Sequence, residues 1–128
     1  MFKKTLIQCL LAVFLLASAS ICAANTITAA RVWPAQDYTR IAFEADQPIK
    51  YQLLILQNPD RLVIDMEDVQ LTDVLKSLAS KVLSSDPYVR QVRAGLFRPN
   101  VVRLVVDLKG EVKSTYLHCR QRAIINID

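Results

Sequence analysis

Hydrophobic and polar positions alternate along most of this chain. The clearest run is residues 101–109, where Val102, Leu104, Val106 and Leu108 fall on one side and Arg103, Asp107 and Lys109 on the other. A period of two is what a strand with one buried face requires. Residues 89–96, just upstream, are rich in β-branched and small side chains. Phe97-Arg98-Pro99-Asn100 between them reads as a connection, because proline has no N–H for a ladder and asparagine tolerates turn geometry. The stretch is organised as a hairpin with a greasy side and an arginine-bearing side.

The same pattern recurs upstream and downstream. Residues 27–33 put Arg31 and Trp33 opposite Thr28, Ala30 and Val32, and residues 38–46 put Ile41, Phe43 and Ala45 against Arg40, Ala42, Glu44 and Asp46. Residues 49–56 form a further run, and residues 61–67 turn Leu62, Ile64 and Met66 inward and Arg61, Val63 and Asp65 outward. Strands are also predicted over 112–119 and 123–128. Turn signals separate the runs at 34–37, Gln47-Pro48, Gln57-Asn58-Pro59-Asp60, Gly110 and 120–122. Between 71 and 83 the period changes. Apolar residues at 71, 74, 75, 78, 79, 82 and 83 predict an amphipathic helix over about 72–83, capped by Thr72 or Asp73 and ended by Ser84-Ser85-Asp86-Pro87.

Eight short strands with turns between them predict an all-β sandwich. The two halves resemble each other: Arg40–Glu44 lies over Arg103–Asp107, Ile49-Lys50 over Val112-Lys113, and Arg61–Asp65 over Arg122–Asn126. Arg31-Val32 lies more weakly over Arg93-Ala94. An offset of about sixty residues is too long for a solenoid repeat. The expectation is therefore a duplication, roughly 27–67 and 89–128, giving two symmetry-related four-stranded sheets. Each copy forms one sheet, and the single helix connects them. One such sheet alone leaves its apolar face wet; two, face to face, bury it.

At 128 residues the chain has room for one domain. Residues 1–24 stand apart from it. Lys3 and Lys4 precede an apolar run from 6 to 16, and Ala17-Ser18-Ala19 and Cys22-Ala23-Ala24 offer small-residue cleavage points, the pattern of a Sec-type signal peptide. The run is shorter than the ~20 residues of a spanning helix, and Ile21 before Cys22 argues against lipidation. Without residues 1–24, which hold two lysines and no acids, the net charge falls from +4 to +2. Mild basicity gives no reason to expect a nucleic-acid partner.

Chemistry-bearing residues are sparse. Cys9 and Cys22 fall in or beside the leader, which leaves Cys119 as a small strand residue; cleavage after Ala19 would instead permit a Cys22–Cys119 bridge. One histidine, His118, cannot supply a catalytic zinc site, which takes three protein ligands. Asp65, Glu67 and Asp68 read as solvated strand ends rather than as a catalytic pair. No catalytic residue, metal site or cofactor is expected.

The run Val89-Arg-Gln-Val-Arg-Ala-Gly95, followed by Asn100-Val-Val-Arg-Leu-Val-Val-Asp-Leu108, closely resembles the AMIN domain, and Arg61-Leu-Val-Ile-Asp65 fits the same domain. The resemblance covers essentially all of residues 27–128 and places an AMIN domain at 25–128. AMIN domains stand at the N-terminus of exported bacterial N-acetylmuramoyl-L-alanine amidases, which cut the bond between glycan and stem peptide, and occur in pilus secretins. The resemblance implies a two-sheet sandwich that binds peptidoglycan in the periplasm and targets its enzyme to the division septum, with septal-ring proteins as further partners. Zinc belongs to a downstream catalytic domain that these residues do not contain, so the chain is expected to be a non-catalytic module with no membrane span once the leader is cleaved. The alternative is a periplasmic protein–protein adaptor of the secretin kind.

In a sandwich the inner faces form the core, so binding falls to outer faces, edges and loops. Stem peptides present carboxylates, which guanidinium forks match. The candidate peptidoglycan-binding residues are Arg93, Arg98 and Arg103, with Arg31 and Arg40 on the other sheet. Trp33 or Phe97 would stack on sugar rings. The competing expectation is that these arginines pair with neighbours across the sheet and that Trp33 is ordinary packing.

Overall fold

The computed structural model describes residues 2–16, 24–119 and 121–128. An apolar helix, α1 (Phe2–Leu16), precedes β1 (Ile27–Pro34), β2 (Thr39–Ala45), β3 (Lys50–Leu56) and β4 (Arg61–Glu67). Two short helices, α2 (Asp73–Lys76) and α3 (Leu78–Lys81), lead to β5 (Val89–Arg98), β6 (Val101–Leu108), β7 (Ser114–Cys119) and β8 (Arg122–Ile127). Among the described residues no helix is long and apolar enough to cross a membrane. Cys22 lies outside those residues, and the side chains of His118 and Cys119 are not among those described.

The strands form two antiparallel four-stranded sheets, the first in the order β1-β2-β8-β7 and the second in the order β3-β4-β6-β5. Alternation reaches the structure intact where it was strongest. Along β2 and β6 every second residue is buried, and Phe43, Ile41 and Ile125 of the first sheet share one apolar cluster with Leu62, Ile64 and Leu104 of the second. Burying each such side chain contributes about 1.5–3 kcal/mol.

The expected one-copy-one-sheet arrangement does not occur. Each sheet takes one hairpin from each half: β1-β2 joins β7-β8, and β3-β4 joins β5-β6. The chain changes sheet between β2 and β3, at Gln47-Pro48. Buried Asn25 fixes that corner, its Nδ2 donating to the Gln47 carbonyl at 2.9 Å and its Oδ1 accepting from the Gln47 N–H at 2.9 Å. Asn25 thus occupies the polar groups of Gln47, and Pro48 brings no N–H. Adding four to each strand number of the first half, and subtracting four in the second, converts one strand order into the other.

The single helix expected over 72–83 is instead two four-residue pieces separated at Ser77. The Ser77 hydroxyl donates to the Val74 carbonyl at 2.6 Å and the Ser80 hydroxyl to the Ser77 carbonyl at 2.7 Å. Serine hydroxyls bound to nearby carbonyls weaken a helix interior, and Val82 is already extended. Leu75 and Leu78 nevertheless reach the core, and the pair packs against β1 and β5. Lys81 donates its ammonium to the Ala30 carbonyl of β1.

Asp86, expected only to end a helix, is buried and ties the sheets together. Its Oδ1 accepts from the Thr39 hydroxyl of β2 at 2.7 Å and from the N–H groups of Tyr88 and Val89 at 2.9 Å each. Losing such a buried acceptor strands three donors at about 1–3 kcal/mol apiece.

Candidate functional site

All five candidate arginines lie on outer faces, in two groups on different sheets. On the second sheet the register sets Arg103 of β6 between Asp65 of β4 and Gly95 of β5, and sets Arg93 of β5 one row away, diagonal to Asp107 of β6. Arg103 grips Asp65 with both arms of its fork, Nε to Oδ1 at 2.8 Å and Nη2 to Oδ2 at 2.9 Å. Arg93 does the same to Asp107 at 3.1 Å through each nitrogen, and the Gln91 amide adds a bond at 2.6 Å. Such paired bonds are the strong, geometrically specific kind.

The Phe97 ring lies over Arg103, 3.5 Å from guanidinium carbon to ring centroid, with Arg98 5.1 Å away. The expected four-residue connection is only Pro99-Asn100: β5 bulges between Leu96 and Arg98, carrying Phe97 and Arg98 into the strand. Gly95 contributes no side chain opposite Arg103, so a groove of about 250 Å³ opens between Arg93, Gly95, Phe97 and Arg103. The hydrogen bonds from Arg103 hold the Asp65 carboxyl below its ordinary value, and Asp65 in turn raises Arg103.

The first sheet repeats this layout with one change. Arg40 of β2 lies between Trp33 of β1 and Asn126 of β8, and Arg31 lies one row away opposite Ala42. Arg40 donates Nε to the Asn126 amide oxygen at 2.9 Å and stands 5.2 Å over the Tyr38 ring. Arg31 stands 5.9 Å over the Trp33 indole. Among the described residues neither Arg31 nor Arg40 meets a carboxylate; Glu44, the acid of this face, is taken by Arg122 at 3.1 Å. Trp33 is 45% exposed and is not core packing. Beside it a groove of about 450 Å³ runs between β1 and α3, lined by Arg31, Trp33, Pro34, Ser80, Lys81 and Leu83.

Sequence reasoning placed the arginines on the right faces and missed what answers them. Asp65 is not a solvated strand end; it sits at mid-face with its side chain 21% exposed, locked to Arg103. Tyr38 and Lys81 were also not named as site residues. Tyr38 had a signal, since it falls two residues before Arg40 on the outward alternation. Lys81 had none, because its place beside Trp33 depends on where α3 docks. Among the described residues no three His, Cys, Asp or Glu side chains gather as a metal site.

What this arrangement can do is bind. One face offers two guanidinium groups free of acid partners beside an exposed indole and a phenol; the other offers forks already holding carboxylates. The AMIN domain family profile matches residues 29–124. N-acetylmuramoyl-L-alanine amidase AmiC of Escherichia coli O6:H1 is 44% identical over 94 residues, covering 73% of this chain and 22% of the relative. The protein of the same name from Neisseria meningitidis serogroup B is 46% identical over 86 residues, covering 67% and 21%. The chain thus spans about a fifth of the length of these relatives.

Proposed function

The chain belongs to the AMIN domain family, and on that premise we propose that it is a non-catalytic module that binds peptidoglycan and targets a cell-wall amidase to the division septum. It acts in the periplasm after removal of residues 1–24. The fold is read as a sandwich of two equivalent sheets from an internal duplication, a reading supported by the interconvertible strand orders. The observation that carries the binding role is the outer face of the first sheet. There Arg31 and Arg40 present charge that no carboxylate of the described chain answers, next to Trp33 and Tyr38. Free guanidinium groups on a pleated, flat surface suit an extended polymer bearing carboxylates. Arg98, over Phe97 and in no ion pair among the described residues although its charge also acts on Asp65, is the second sheet's available contribution.

Arg93 and Arg103 play a smaller part in this reading, because a wall carboxylate would first have to displace Asp107 or Asp65. Co-sedimentation with purified sacculi tests the proposal. Retention that weakens as salt rises, and that falls in Arg31→Ala and Arg40→Ala, supports it; protein left in the supernatant at low salt sinks it.

A second reading rests on β3. That strand is an edge of the second sheet, with exposed Leu54 and Ile55 and, of charged residues, Lys50 alone. Such an edge can accept a partner strand, as a periplasmic adaptor would. This reading predicts no sedimentation with sacculi and retention on an immobilised partner protein that is lost in Leu54→Lys.

A further inference from the structure

The groove between β1 and α3 carries more information than the face beside it. Its apolar lining is the exposed Trp33 with Val32, Pro34 and Leu83; Leu83 is 53% exposed. Its polar groups are the Arg31 guanidinium, the Lys81 ammonium and the Ser80 hydroxyl, and among the described residues no acidic side chain lines it. One Lys81 proton goes to the Ala30 carbonyl, which leaves two of its three donors for a ligand and fixes the ammonium at the strand edge. The volume, about 450 Å³, falls within the ~300–1,000 Å³ of small-ligand clefts.

Sugar hydroxyls both donate and accept, so they would leave the two cations of this groove uncompensated, which a carboxylate would not. The groove's complement is a ring with an apolar face for the indole and an acceptor-rich rim: amide carbonyls and, above all, a carboxylate. The Arg31 guanidinium lies 5.9 Å from the indole centroid. A carboxylate on a short arm from a ring stacked on Trp33 falls within its reach.

We infer that this groove binds an N-acetylated sugar ring carrying a free carboxylate, with Trp33 under the ring and Arg31 and Lys81 on the carboxylate. The inference rests on the wall-binding reading above and narrows it to one moiety. In peptidoglycan the acyl arm of an N-acetylmuramoyl residue is tied up as an amide to the stem peptide. Hydrolysis of that amide adds water across the C–N bond, leaving a carboxylate on the sugar and an ammonium on the peptide. The ligand is therefore the glycan from which stem peptides have been cut, and the groove marks wall where an amidase of this class has already worked.

Trp33 is the single tryptophan of the chain, so its emission reports on ligands at the groove and at the adjoining outer face beside Arg40. The purified protein is titrated with three probes: the disaccharide of N-acetylglucosamine and N-acetylmuramic acid with its free acid, the same disaccharide bearing its stem peptide, and diacetylchitobiose. The expected result is a shift of Trp33 emission, with the free acid binding at least about tenfold more tightly than either other probe. Arg31→Gln and Lys81→Gln, the latter on α3 and off the sheet face, are each expected to weaken free-acid binding at least about fivefold, and a Lys81→Gln protein that binds the free acid unchanged overturns the groove assignment. Equal binding of the free acid and the peptide-bearing disaccharide overturns the inference, and so does emission that none of the probes moves. If emission stays still while sacculi retain the protein, the groove assignment fails and wall binding stands. If the free acid shifts emission but sacculi do not retain the protein, the groove stands and wall binding fails.

Discussion

The two outer faces are built to one plan and end in opposite states. Arg40 and Arg103, Arg31 and Arg93, Glu44 and Asp107, Arg122 and Arg61 occupy matching rows, as do Asn126 and Asp65. The decisive difference is one carboxylate against one carboxamide. Asp65 closes both arms of Arg103, whereas Asn126 takes a single bond from Arg40 and leaves the cation uncompensated. Exposure is a poor guide to availability here. The Arg93 side chain is 58% exposed yet is held by Asp107 through two bonds, while Arg40 is half-buried and still free to answer an anion.

The largest expected effect separates the faces outright. Replacing Arg31 and Arg40 together with alanine should reduce retention on sacculi by about tenfold or more, roughly 1.4 kcal/mol. The corresponding Arg93→Ala, Arg103→Ala pair should stay within about twofold, and an equal loss in both pairs ends the distinction. Next in size is the exchange of the deciding residue. Asn126→Asp should lock Arg40 as Arg103 is locked and lower retention about three- to fivefold, because charge-assisted forks outcompete a diffusing ligand. The reverse change, Asp65→Asn, should release Arg103 and raise retention by about twofold, measured in the same co-sedimentation assay.

The smallest effect concerns stability. The folded Asp65 carboxyl titrates below its unfolded value of about 3.9. Its contribution is therefore complete above that value and drains away as pH falls through the lower folded one. Thermal melts of the parent and Asp65→Asn should differ by about 2–4 °C at pH 7 and converge as the pH falls through the lowered folded value. A gap that persists unchanged into acid would show that the Arg103–Asp65 pair is not its source.

Much of this was legible in the residues. Alternation in 38–46, 61–67 and 101–109 named the inward and outward side chains, because the period of a strand is a local property. The bounds of β4 came out as observed. Partner choice is not local. Arg103 and Asp65 are 38 positions apart, and only the pairing of β4 with β6 brings them together. The same holds for the hairpins: the repeat was visible as Arg–acid matches, but which sheet each hairpin joins rests on the long-range β2–β8 and β4–β6 pairings. The break at Ser77 was lost beneath an apolar pattern that suits a continuous helix, since side-chain bonds to local carbonyls do not alter that pattern. Phe97 was read through Pro99 as turn material, and the bulge that keeps it in β5 left no mark in the pattern.

Interleaved hairpins also set an order of events. Every polypeptide appears N-terminus first, and the middle of the first sheet needs β8, its last strand. Until residues 122–127 arrive, Arg40 has no Asn126 beside it, Glu44 has no Arg122, and β2 lacks its inner neighbour. A partly emerged chain therefore lacks the finished face of the first sheet, and capture through that face waits for residues 122–127.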